Sequence, residues 1–164
     1  MQQIQSWSFR VEPYVEESFS HYMGRFRRAT HLRSSQISHS LGLEYPMVSL
    51  WETPSRRRRP NQQQMQALSE MLRVDVDRLQ SMWLPTDTPL HLPTRLCAHC
   101  YAENPYHKVT WQVAGDDQCD RHQQPLLTRC PHCGMAFAVP CHWDSGMCEQ
   151  CGLPFREMIN YSEA

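Results

Sequence analysis

Four ligand pairs, each with two residues between its members, constrain this chain more than any other feature. They are Cys97/Cys100 in LCAHCY, Cys119/His122 in QCDRHQ, Cys130/Cys133 in RCPHCG and Cys148/Cys151 in MCEQCG. Two intervening residues form a knuckle that lets both side chains point at one ion, with backbone N–H groups free to bond the sulfurs. Gly134 and Gly152, directly after the second cysteine, supply the open backbone such a turn favours. A tetrahedral site consumes two pairs, so four pairs predict two Zn2+ per chain. Seven of the 8 cysteines are paired; with His122 they make eight ligands, and Cys141 is left over. Sequential pairing closes the shorter loops, which is entropically simpler. It joins Cys97, Cys100, Cys119 and His122 around one zinc, and Cys130, Cys133, Cys148 and Cys151 around the other. A cross-braced arrangement stays open, as do disulfides or redox pairs. Both predicted sites are filled by four strong ligands, which is a structural composition; a catalytic zinc keeps a position open for water. His99, His107, His132 and His142 are spare. With no paired-carboxylate, Ser/His/Asp or phosphate-cradling motif either, the chain is read as a non-enzyme.

All cysteines lie at or after Cys97, so the chain divides. Residues 1–85 read as a helical domain, 86–96 as a proline-bearing linker, and 97–164 as a small irregular domain of zinc-ribbon or knuckle type. The tail half has little apolar core, so metal must supply much of its folding energy. The N-terminus carries no apolar leader and no run approaches membrane-spanning length. Cysteines in a chain without an export signal favour metal over disulfide and predict a cytoplasmic protein with no membrane partner.

The first half is written in helical spacing. Phe19, Tyr22, Met23 and Phe26 share one face, with Ser18 as cap. Ile37 and Leu41 follow a cap at Ser34 or Ser35, and Gly42 suits a helix end. Pro46 opens a helix aligning Met47, Leu50 and Trp51, and Pro54 stops it. Asn61 and Gln64 form a capping box before Met65, Leu68 and Leu72. A last short helix offers Val76, Leu79 and Trp83. The order from Gln36 through Gly42, Trp51, Glu52 and Pro60 to Leu79 resembles the helix-turn-helix of the lambda-repressor class. Its second helix, in EYPMVSLWE, has few polar side chains to read base edges.

Charge is uneven. Residues 1–85 hold 11 Arg against 8 acids, and the remainder holds 5 basic residues against 9 acids, matching totals of 16 and 17. Only Lys108 is lysine. Arginine makes forked contacts to phosphate and stacks on bases. Arg25, Arg27, Arg28, Arg33, Arg56, Arg57, Arg58 and Arg59 are therefore candidate nucleic-acid contacts. Arg59 precedes Pro60, which biases the end of the run toward extended backbone able to follow phosphates. An idle solvated loop is the plain alternative.

PYVEESFSHYMGRFRRATHL, with Pro13, Glu17, Ser18 and Arg27-Arg28-Ala29, resembles the N-terminal signature of the TniQ family. RLCAHCYAENPYHKVTWQ and CDRHQQPLLTRCPHCG are similar to that family's zinc-binding core, with Trp111-Gln112 before the C-x-x-H and Leu126-Leu127 before the C-P-x-C-G. The short length resembles the compact form found in type V-K CRISPR-associated transposons. The resemblance implies a bacterial transposition-targeting adaptor. Such a protein bridges an RNA-guided, cleavage-inactive effector on target DNA and the AAA+ ATPase TnsC. It also implies contacts with the guide RNA scaffold and a small ribosomal protein. The rival reading of the residues is a sequence-specific transcription regulator with a zinc-ribbon tail.

Overall fold

The computed structural model describes residues 10–54 and 58–161. It is mainly helical, and among the described residues extended pairing is limited to isolated β-bridges. Among the described residues the α-helices are α1 (Phe19–Thr30), α2 (Ser34–Ser40), α3 (Met47–Glu52), α4 (Gln62–Leu72), α5 (Val76–Gln80) and α6 (Ala98–Glu103). None is long and apolar enough to cross a membrane.

α1 begins where Ser18 Oγ accepts the His21 N–H at 3.3 Å. It buries Phe19, Tyr22, Met23 and Phe26, the face its spacing predicts. Arg27 and Arg28 sit in its last turn, where cations suit the helix dipole. α4 starts on a reciprocal cap: Asn61 Oδ1 accepts the Gln64 N–H and Gln64 Oε1 accepts the Asn61 N–H, both at 2.9 Å. Met65, Leu68, Met71 and Leu72 point inward from it.

Three local expectations shift. The cap of α2 is Arg33, not Ser34 or Ser35, because Gln36 Oε1 reaches back to the Arg33 N–H at 2.9 Å. α3 buries Trp51 as its spacing predicts, but together with Val48 and Glu52 rather than Met47 and Leu50. Its face is turned because the Val48 N–H donates to Ser38 Oγ and Arg27 Nε draws Glu52 inward at 3.0 Å. α5 ends at Gln80, and Trp83 leaves the helix to stack on Phe19 with centroids 4.0 Å apart.

The second half has a different interior. α6 packs against a 3-10 segment, Phe155–Tyr161. Tyr101, Phe137, Trp143 and Phe155 meet edge to face at 4.8–6.3 Å, a favoured arrangement of ring quadrupoles. The segment 86–96 carries bridges at Leu90–Val113 and Leu96–Leu127. Within it Arg95 is buried and donates to the carbonyls of Trp111, Val113 and Asp116.

α1 touches both interiors. Its Gly24 lies against the backbone of Cys141, where an added Cβ would stand 2.4 Å from the carbonyl oxygen. The Cys141 N–H donates to Ser20 Oγ at 3.0 Å, the Ser18 N–H to the His107 carbonyl at 3.0 Å, and the Val109 N–H to the Glu16 carbonyl at 2.8 Å. His107 is fully buried, and burial pushes its pKa down to about 3, so the ring is neutral. Gln112 Nε2 donates to the carbonyls of His91 and Pro93, which fixes Gln112 Oε1 as an acceptor. His107 Nε2 therefore donates to Gln112 Oε1, and Nδ1 accepts the Ser18 hydroxyl at 2.8 Å.

Candidate metal centres and the arginine surface

The structure brings together the eight cysteine and histidine ligands as two groups, each with its donor atoms within 4.8 Å of one another. One holds Cys97, Cys100, Cys119 and His122; the other holds Cys130, Cys133, Cys148 and Cys151. Pairing is thus sequential. All eight cysteines are free thiols. Donor separations are 3.5 Å for Cys100–Cys119, 3.6 Å for Cys130–Cys151 and 3.5 Å for Cys133–Cys148. A tetrahedron with metal–sulfur bonds of about 2.3 Å places its donors about 3.8 Å apart. The residues present therefore fit a four-coordinate metal ion in both groups.

Three of the four pairs share one backbone device. Gln118–Pro125, Arg129–Ala136 and Met147–Pro154 are bridged, each from the residue before a cysteine to the residue seven later. Inside each, the residue after the second ligand returns its N–H to the first cysteine's carbonyl at 2.8–2.9 Å: Gln123 to Cys119, Gly134 to Cys130, Gly152 to Cys148. Those residues have φ of 55°, 75° and 73°. Gln123 adopts the left-handed turn without glycine's freedom. The fourth pair is built differently. Cys97 caps α6, its Sγ accepting the Cys100 N–H at 3.5 Å, so the helix start supplies the knuckle.

Backbone donors also set thiol chemistry. Burial raises the Cys148 pKa, but the N–H groups of Cys151 and Gln150 outweigh it and hold the thiol near 7, well below its ordinary value. Cys133 is the opposite case. The Met135 N–H favours its thiolate, yet burial and the neighbouring thiols push it up to about 12. Within one group Cys148 ionises readily while Cys133 and Cys151 are pushed up by their neighbours, and a cation arriving there would favour the thiolate form of all its ligands.

Glu103 is a site residue that sequence reasoning missed. His122 Nδ1 faces the sulfurs, 3.2 Å from Cys100, and its Nε2 lies 3.1 Å from Glu103 Oε1. Arg121 holds the same carboxylate at 2.7 Å. Donation of Nε2–H to Glu103 leaves the Nδ1 lone pair free for an ion, as second partners of metal-bound histidines do. The signal was present: Glu103 lies three residues after Cys100 on the same helix. His107 is used internally, and Cys141 is buried against α1.

The arginines are scattered by the fold. Arg25 Nε and Nη2 fork onto Glu17 at 2.8 and 2.7 Å, and its guanidinium lies 4.0 Å over the Tyr14 ring. Arg27 pairs with Glu52, and Arg28 Nη1 donates to the Cys141 carbonyl at 3.2 Å. Arg33 is exposed at the start of α2. Arg58 and Arg59 are exposed at one cavity, where the Arg59 guanidinium donates to the Leu84 carbonyl. Arg56 and Arg57 lie outside the described residues.

Glu17 and Glu52 show how donors decide the sign of a shift. Burial raises both. At Glu17, Arg25, His21 and the Tyr14 N–H outweigh it, and the carboxyl falls below its ordinary value. At Glu52 Arg27 alone does not, and the carboxyl stays above it. Glu17 lies just before the Ser18 cap, with His21 and Arg25 four and eight positions further along α1.

A family model, TniQ, matches residues 8–126. The match spans the helical half and the first metal cluster and ends before Cys130. No curated protein matches the chain.

Proposed function

This chain belongs to the TniQ family, whose members are non-catalytic transposition-associated proteins, and on that premise we propose that it is a targeting adaptor of DNA transposition. It bridges a type V-K RNA-guided effector on target DNA, with its guide RNA scaffold and a small ribosomal protein, to the AAA+ ATPase TnsC. The observation that carries the reading is the family match over residues 8–126. Both metals are zinc and structural: soft thiolate donors in fours suit that ion, and neither set leaves a position for water. The α2–α3 pair serves as a helix-turn-helix scaffold for protein and backbone contact. Tyr45 is exposed just before α3 and Glu44 beside it repels phosphate, which argues against base reading. Thiolate sites suit the reducing bacterial cytoplasm.

The test is a pull-down of the metal-loaded chain against TnsC with ATP and duplex DNA. Retention that needs both ATP and DNA is the expected result. A sharp consensus from selection on random duplex DNA, with no TnsC retention, would instead establish the transcription regulator.

A further inference from the structure

At the junction of the two halves lies a cavity of about 270 Å3. Its wall is apolar and aromatic: Phe19, Met82, Trp83, Leu84 and Val109. Phe19 and Trp83 already stack there at 4.0 Å. Its exposed lining is polar: Arg58, Arg59 and Thr86, with Thr88 half-buried beside them. No acidic side chain lines it. Arg58 has no ion pair or side-chain hydrogen bond among the described residues, and neither threonine hydroxyl is used. Two indoles of the wall, Trp51 and Trp83, carry Nε1–H groups without a partner among the described residues.

The geometry points to an unpaired nucleotide as the occupant: one base of a single strand enters the cavity, and its phosphate lies at Arg58. A base has flat faces that stack on aromatic walls whatever its identity, and a polar edge for hydroxyls and N–H donors. The strand's charge complements the arginines. An aliphatic anchor would fill the wall and leave the cationic mouth unmatched. The inference rests on the nucleic-acid part of the proposed function and adds a base-holding element to what charge alone describes as a backbone clamp.

The test compares a short fluorescein-labelled single-stranded RNA with an abasic strand of equal length, both binding the metal-loaded full chain at low salt. The base-bearing strand is expected to bind about tenfold or more tightly, the range of one aromatic stack. Thr88→Phe, which fills the mouth, should bring it down to the abasic level and leave abasic binding unchanged; Arg58→Ala should weaken both strands. A 2-aminopurine strand needs no variant: its emission should be quenched on binding. Equal affinity for both strands, or unquenched emission at saturation, overturns the base pocket and leaves the backbone clamp standing. Failure of both strands to bind overturns the pocket and the nucleic-acid contact together, while TnsC retention remains a separate readout. A free nucleoside monophosphate binding as tightly as the strand, or displacement of the strand by an acidic phenylalanine-bearing peptide of equal affinity, also overturns it.

Discussion

The two halves of this protein reach a fixed shape by different routes. The helical half buries a conventional cluster, from Phe19 through Ile37, Trp51 and Leu68 to Met82, drawn from five helices. The metal half surrounds four cysteines of one group and four donors of the other with a modest aromatic layer around Trp143 and Phe155. In the first, stability comes from apolar area removed from water. In the second, the binding free energy of an ion held by either donor group would be folding free energy. Agents that remove metal should therefore separate the halves, and agents acting on α1 should affect both.

The largest effect is expected from losing a metal. Structural zinc in small cysteine sites contributes about 10–16 kcal/mol at neutral pH. Cys130→Ser should lower the metal content from two ions to one by elemental analysis and abolish near-ultraviolet signals from Trp143. Cys141→Ser should keep both ions; equal metal loss in the two variants would break the ligand assignment.

Next comes the buried carboxylate just before α1. Glu17→Ala leaves Arg25 and His21 without their shared partner and should cost about 3–5 kcal/mol in denaturant unfolding. The folded pKa of Glu17 is depressed. Its stabilisation is thus complete above the ordinary carboxylate range and is lost as pH falls through the lower folded value. Glu52 is raised, so its charge costs stability above that range. Glu17→Gln should therefore destabilise more than Glu52→Gln at neutral pH, with the gap narrowing as pH approaches 4. An unchanging gap would show that the two carboxylates do not differ in this way.

Gly24→Ala tests the contact between the halves. Its Cβ meets the backbone of Cys141, which has no flexible end to move aside. A loss of about 1–3 kcal/mol is expected, the usual range for overpacking. Melting of the helical and metal-half signals should both move. Smallest is Asn61→Ala, which removes one cap acceptor from α4 and should cost about 1 kcal/mol, seen only as a lower midpoint.

Much of this was legible beforehand. The α1 face, the Ser18 and Asn61 caps and the two ligand groups follow from spacing, because helical period and knuckle geometry are local. The turned face of α3 was not, since it depends on Arg27 reaching Glu52 across 25 positions. Glu103 escaped notice because its partner, His122, lies 19 residues away. Gln123 escaped because glycine was taken as the mark of the knuckle turn, whereas the bridge and the carbonyl hydrogen bond impose that turn on glutamine too.

By itself the sequence determined which residues gather into two groups able to hold a metal ion, where most of the helices begin, and which family the chain resembles, because ligand spacing, caps and periodicity act over a few residues. Only the tertiary structure decided which arginines remain available. Arg25, Arg27 and Arg28 are drawn onto acceptors of the chain itself, while Arg58 has no side-chain partner among the described residues and lines an aromatic cavity. A guanidinium's availability depends on what folds up beside it, and no local pattern records that.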